Sequence, residues 1–266
     1  QDIALFRSVV ETGEVPDPEM LDPIGFFAEH AVDLPPADCG EVVCAHPMLA
    51  VAPRFDGSNW TMAFVGLNSS VDLSTRARPP LRVAIVVDVS AQTAGLRASL
   101  LSAAARLVTP LRPEDRVSIV VAGDGAEVLA DSLGPFDAGL GDAVDSATRM
   151  TASVVALYDA LAVAGELVSD DPANLRHILV LSNGRADGGL ASESHVLALA
   201  EALAAEGVTI STIGGGEDYE QRLPLAIGEL GAGAYYFAAD GADLVDIFDL
   251  EGRTALYPIA RDFQLV

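Results

Sequence analysis

The chain has 266 residues and a formal net charge of −24, from 39 acidic and 15 basic residues. All 15 basic residues are arginine. The lack of lysine excludes a P-loop lysine, a Schiff-base lysine and a Ser-x-x-Lys nucleophile. The acidity argues against a nucleic-acid partner, because phosphate binding needs clustered basic residues. Half of the residues are hydrophobic, yet no apolar run reaches the roughly 18 residues of a membrane span. We therefore expect a globular segment without membrane insertion.

Residues 1–80 are predicted to form N-terminal helices followed by accessory strands. Apolar spacing favours helix over residues 1–30, with a second helix start at Asp22-Pro23. The turn at 55–59 separates two extended segments, which predicts an accessory β-hairpin within residues 41–68.

Cys39 and Cys44 are separated by four residues near the start of this hairpin. A disulfide across a tight turn fits this spacing, and it would indicate a location outside the cytoplasm. Two unlinked thiols are the alternative, and a zinc site with His30 and His46 is a weaker one. The sequence leaves these alternatives open.

A continuous apolar run begins at Leu81 and ends at Asp88-Val-Ser90. Mostly β-branched residues without alternation predict a parallel strand that helices cover on both faces. Asp88 and Ser90 then lie at the carboxyl end of a central strand, where open α/β sheets bind ligands.

From Leu81 onward, predicted strands alternate with helices, so we predict an α/β class with a doubly wound, mostly parallel, Rossmann-like sheet. The predicted elements after the first strand are a helix from Leu96 to Val108, strands at 116–122 and 126–130 (the second antiparallel), a helix at 156–165, a strand at 176–182, a helix at 193–205, a strand at 208–214, a helix at 219–230, a strand at 234–238 and a helix from Asp240. We place this domain at 81–252. Residues 253–266 are predicted as an extended C-terminal strand that leads to a region beyond the chain and either pairs with the hairpin or frays.

The order of four motifs resembles the von Willebrand factor type A (VWA) family. Asp88-Val-Ser-Ala-Gln92 is similar to that family's Asp-x-Ser-x-Ser loop, and Leu157–Leu161 is similar to its second loop and helix. Leu181–Gly184 and the glycine-rich Thr212–Gly216 are similar to its two later motifs. The resemblance spans about residues 81–250. The flanking segments at 6–16 and 257–262 are similar to the corresponding regions of bacterial YfbK-like surface proteins.

The resemblance implies an adhesion site in which five side chains bind magnesium and a partner completes the coordination. Asp88 and Ser90 match the family's pattern, whereas Gln92, Val155 and Asn183 replace a serine, a threonine and an acid. Thr151 or Ser153 could substitute for the threonine in a shifted loop. Because Val155 offers no oxygen and Asn183 no charge, we expect a degenerate site without a metal or other cofactor, and Mg²⁺ or Ca²⁺ bound weakly at most. Arg185 could pair with Asp88 at the vacated position.

The leading hypothesis is a non-catalytic protein-binding or adhesion module of a bacterial cell-envelope or secreted protein. Its binding face would consist of the loops at 89–95, 151–156 and 183–189, with a protein or surface ligand as partner. The alternatives are a functional Mg²⁺-dependent adhesion site, an intracellular VWA assembly subunit and, least favoured, a hydrolase with Ser90 as nucleophile.

Overall fold

The computed structural model describes residues 2–17, 32–72, 78–172, 174–189, 192–254 and 259. The chain forms two compact units. The first unit contains the N-terminal helix α1 (Asp2–Glu11) and everything described from Pro79 to Thr254. The second unit contains the accessory hairpin.

A six-stranded sheet is the centre of the first unit, and its spatial order is β5-β4-β3-β6-β7-β8. These strands are β3 (Leu81–Asp88), β4 (Arg116–Ala122), β5 (Ala126–Leu133), β6 (Leu175–Ser182), β7 (Val208–Gly215) and β8 (Ala232–Ala238). All neighbouring pairs are parallel except β4 with β5. Strand β3 lies in the middle, and Val83 to Val87 are almost fully buried. The predicted fold class is confirmed.

Helices cover both faces of this sheet, which explains why its strands need no polar side. The helices are α2 (Ala94–Arg97), α3 (Leu100–Val108), α4 (Ala138–Arg149), α5 (Leu157–Val168), α6 (Glu193–Ala205), α7 (Arg222–Leu230) and α8 (Gly241–Thr254). Helices α5, α6 and α7 share one apolar cluster with alternate residues of the strands, such as Ala84, Val86 and Ile178. Helix α8 lies on the opposite face, where its Glu251 reaches His177 of β6. No helix of the described residues is apolar enough over a sufficient length to cross a bilayer.

The second unit contains an antiparallel pair, β1 (Cys44–Pro53) and β2 (Asn59–Asn68). The turn between the strands is stabilised by Asp56, which accepts a hydrogen bond from the amide of Ser58 at 2.9 Å. Gly57 has φ +82°, a conformation that glycine adopts at little cost. A disulfide joins Cys39 to Cys44 at the start of β1.

Several predicted boundaries were wrong. The N-terminal helix ends at Glu11 rather than continuing through residue 17, because Gly13 adopts φ +83° and terminates it. The helix predicted from residue 219 begins at Arg222, since the preceding residues form a turn that bonds to Asn183. Helix α4 was not predicted at all. The extended segment predicted from residue 253 was wrong at its start, because Arg253 and Thr254 still belong to α8. Asp22-Pro23 and, apart from residue 259, residues 257–266 lie outside the described residues, so the predictions for them remain predictions.

Candidate functional site

Asp88 lies at the carboxyl end of β3 and is completely buried. One carboxylate oxygen accepts the amide of Ser90 at 2.8 Å. The other accepts the amide of Asn183 at 3.1 Å and the hydroxyl of Ser182 at 3.3 Å. Three protein donors therefore occupy the carboxylate, and they tie the first loop to the end of β6.

The other family positions surround Asp88 but are used differently. Ser90 and Asn183 are buried, and neither the Ser90 hydroxyl nor the Asn183 side-chain nitrogen has a hydrogen-bond partner among the described residues. The Asn183 side-chain oxygen accepts the amide of Arg185 at 3.1 Å. Val155 packs into the apolar cluster under α5. Gln92 is half-buried, and its carbonyl accepts the amide of Glu217 at 3.0 Å.

An arginine that the motifs do not include is buried beside this site. Arg97, the last residue of α2, is 1% exposed. Its guanidinium donates to six oxygens: the Thr93 hydroxyl (3.0 Å) and the carbonyls of Val89 (3.4 Å), Ser90 (2.9 Å), Ala147 (2.8 Å), Thr148 (3.3 Å) and Met150 (2.7 Å). Burial lowers the pKa of Arg97, whereas the negative charge of Asp88 acts in the opposite direction. The side chain remains a cation, because arginine is effectively always protonated in proteins.

The second and third loops are also joined directly. Asp187 accepts the amide of Val155 at 2.9 Å, and the amide of Gly188 donates to the Val155 carbonyl at 3.0 Å. Arg185 lies 3.0 Å from Asp187 and not on Asp88, so the predicted Arg185–Asp88 pair is wrong. The reason is local, since Asp187 is two residues away on the same exposed loop while Asp88 already has three donors.

The described residues do not fit a magnesium ion at this position. Magnesium takes a near-octahedral set of oxygen ligands, usually with several waters. Asp88 has about one lone pair left of roughly four, the Asn183 oxygen is engaged, and Val155 contributes none. Among these positions in the described chain, the Ser90 hydroxyl is the one buried oxygen without a partner, and one hydroxyl with one remaining carboxylate lone pair falls far short of an octahedral set. In the described part of the chain, no three His, Cys, Asp or Glu side chains are grouped to hold a metal.

The geometry also does not support Ser90 as a nucleophile. Such a serine needs a base within hydrogen-bonding reach. His177 lies five residues before the end of β6, about 16 Å along the strand, and its ring is held between Thr209 and Glu251. His195 bonds to Ser192 at the start of α6.

The sequence motifs left out Arg97, and they gave no role to Ser182 within the third motif or to Asp187 within the third loop. For Arg97 a sequence signal existed: it is three residues before Leu100 and seven before Ala104, and therefore lies on the apolar stripe of the helical segment. A charged residue on such a stripe indicates that the side chain is buried and has hydrogen-bond or charged partners in the interior.

Comparisons with known proteins add to this geometry. No protein-family model matches the chain, and no curated protein matches its sequence. Many solved structures match by shape. A von Willebrand factor type A structure from Catenulispora acidiphila has a TM-score of 0.59 and 20% identity, covering 73% of this chain and 45% of that one. This chain therefore spans less than half of that structure.

Two further structures are matched over nearly their whole length. The vWF domain of the type V pili tip protein Mfa5 from Porphyromonas gingivalis has a TM-score of 0.58 and 14% identity, covering 71% of this chain and 99% of its own. The protein BatB from Bacteroides thetaiotaomicron has a TM-score of 0.56 and 16% identity, covering 66% of this chain and 98% of its own. Together with the sheet order and the position of Asp88, these matches identify the fold of the first unit as that of a von Willebrand factor type A domain.

Proposed function

We propose that this protein is a non-catalytic, metal-independent protein-binding module of a bacterial cell-envelope or secreted protein. The binding surface consists of the loops at 89–95, 151–156 and 183–189, at the carboxyl end of the sheet. Ligands of open α/β sheets bind at this end.

One observation carries the proposal: the carboxylate of Asp88 is occupied by three donors from the protein itself. In the metal-dependent sites of the family, the equivalent acid is needed for the ion. Here it fixes the loops instead, so the loop end is already ordered without an ion. A rigid, preformed loop surface favours binding because little conformational entropy is lost on association.

The negative charge around the site favours a partner with a basic surface. Exposed acids follow the carboxyl ends of three strands, and they are Asp124, Asp187, Glu217, Asp218 and Glu220. Arg185, the neighbouring cation on the third loop, is paired with Asp187. An acidic ligand would be repelled by this rim, whereas a basic partner surface would be attracted and would associate faster at low salt.

The location outside the cytoplasm rests on the disulfide between Cys39 and Cys44, since such bonds persist in oxidising compartments. The matched structures include a pilus tip protein. We propose the same class of location for this chain. Mass spectrometry of natively isolated protein tests it, and free thiols at both cysteines would favour the intracellular assembly subunit.

The binding proposal is tested by capture from an envelope extract, with the whole chain as bait, in EDTA and in millimolar Mg²⁺. We expect equal capture in both, and loss of capture in Glu217→Arg/Glu220→Arg, because the amides of these two acids bond to Gln92 and Asn183 and place them at the border of the first and third loops. The control Glu201→Arg, which changes an exposed residue of α6, should retain capture. Capture that requires Mg²⁺ and disappears in Asp88→Ala would instead establish a metal-dependent site.

A further inference from the structure

Arg97 joins parts of the site that are far apart in the sequence. Two of its acceptors are carbonyls of the first loop, at Val89 and Ser90. Three others are carbonyls at the end of α4, which leads into the second loop. The last carbonyls of a helix have no partners within it and carry partial negative charge. A guanidinium there satisfies them and stabilises the helix end.

The guanidinium is also linked to Asp88 through two short hydrogen-bonded paths. The Thr93 hydroxyl accepts from Arg97 and donates to the Asp88 carbonyl at 2.7 Å. The Ser90 carbonyl accepts from Arg97, and the Ser90 amide donates to the Asp88 carboxylate. A buried cation and a buried anion on one small loop stabilise each other, because the protein interior screens charge weakly.

We propose that the Arg97 guanidinium is the fixed internal cation of the Asp88 site, joining the first and second loops and balancing the charge of Asp88 in place of a metal ion. This inference rests on the proposed metal-independent function and names the residue that makes it so. Arg97 is a positioning residue, since it acts on the loops and is itself inaccessible to a partner. A second cation at Asp88 would be repelled by it.

A double-mutant cycle tests the charge coupling directly. Asp88→Asn leaves the Arg97 cation without its anion, and Arg97→Gln leaves the anion without its cation. If the two residues acted independently, the effects of the single variants on the folding equilibrium constant would multiply. We expect the constant of the double variant to be at least about tenfold larger than that product. Urea unfolding measures these equilibrium constants. A double variant that folds when one of the single variants does not fold would also show the coupling.

The matched control is Arg149→Gln, which changes an exposed arginine on α4. Its effect and that of Asp88→Asn should multiply, because Arg149 pairs with Asp145 on the surface. Coupling below tenfold for Arg97, or equal coupling for Arg149, overturns the proposal. A merely packed side chain would not produce a coupling that depends on the charge of Asp88.

A second measurement keeps Arg97 in place. The variant Gln92→Ser/Val155→Thr/Asn183→Asp supplies the family's oxygen ligands, and Mn²⁺ is titrated into it by calorimetry. We expect no micromolar binding while Arg97 remains, and at least about a hundredfold gain in affinity when Arg97→Gln is added. If the triple variant binds Mn²⁺ at micromolar concentration with Arg97 present, and the natural protein does not bind it, the role of Arg97 is overturned but the proposed function is not. Binding by the natural sequence overturns the proposed function.

Discussion

The six-stranded and two-stranded sheets are both built from apolar strands, but they bury them very differently. Val83 to Val87 in β3 are covered by helices on both faces and lie out of contact with solvent. In the hairpin, Leu49 and Val51 are 77% and 65% exposed. The apolar content of a strand therefore does not determine its burial; the layers of helix around it do.

The difference also changes what holds each region together. The first unit combines an apolar core with a buried charged site. Its stability therefore depends on a few buried charged side chains as well as on the apolar surface area that folding buries. A two-stranded sheet is marginal in water without further cover. In the hairpin, the disulfide at Cys39 and Cys44 and the turn at Asp56 provide local constraints.

The largest effect is expected from Arg97→Met. The change removes a buried cation, leaves Asp88 without a balancing charge and leaves six oxygens without their donor, so we expect a loss of about 3–5 kcal/mol in the free energy of unfolding. Denaturant unfolding followed by far-UV circular dichroism measures it. Arg106→Met on the exposed side of α3 is the control, with a change within about 0.5 kcal/mol. A loss below 1 kcal/mol for Arg97 would contradict the structure of the site.

A pair of matched leucines compares the two sheets directly. Leu179 in β6 is fully buried, so Leu179→Ala should cost about 2–5 kcal/mol of unfolding free energy. Leu49→Ala in β1 should cost less than about 0.5 kcal/mol, because its side chain is already in water. A large cost at Leu49 would mean that the hairpin face is covered in solution.

The disulfide should affect the hairpin and leave the first unit unchanged. By loop-closure entropy, a ring of this size contributes about 2 kcal/mol. Trp60, the single tryptophan of the chain, lies in β2 and reports on the hairpin by fluorescence. In Cys39→Ser/Cys44→Ser, we expect the fluorescence transition to occur at a lower denaturant concentration than in the natural protein. The circular dichroism transition should stay where it is. Equal shifts in both signals would show that the two regions unfold as one.

The smallest expected effect depends on pH and concerns Glu251. Burial raises the pKa of Glu251, but hydrogen bonds and charge from His177, with hydrogen bonds from Tyr236 and Ser211, outweigh burial and leave the pKa below its ordinary value. A lowered pKa means that the ionised form stabilises the fold above about pH 4.3, the value for an unfolded glutamate, and that this contribution is lost as the pH falls further. The stability difference between the natural protein and Glu251→Gln should therefore shrink below that pH. A difference that is constant down to pH 3 would contradict the pairing.

The sequence predicted the features that depend on local pattern. The apolar run before Asp88 placed β3 in the middle of the sheet and Asp88 at its carboxyl end. The sequence did not predict α4, because small residues such as Ala143 and Ala147 form its buried stripe and two glycines interrupt it. That omission also concealed the role of Arg97, whose acceptors lie at the end of α4. Two of the three donors to Asp88, from Ser182 and Asn183, depend on the register of β3 against β6, which no local pattern contains.

The central claim is that protein donors, and not a metal ion, neutralise and hold the Asp88 carboxylate. Thermal and denaturant unfolding of the natural protein in EDTA and in 10 mM Mn²⁺, together with calorimetric titration of Mg²⁺ and Mn²⁺, tests it most directly. A site with a dissociation constant one hundredth of the ion concentration would add about 2.7 kcal/mol of stability. We expect no measurable binding and no change in unfolding. Micromolar affinity and a matching stabilisation, both absent in Asp88→Ala, would contradict the claim.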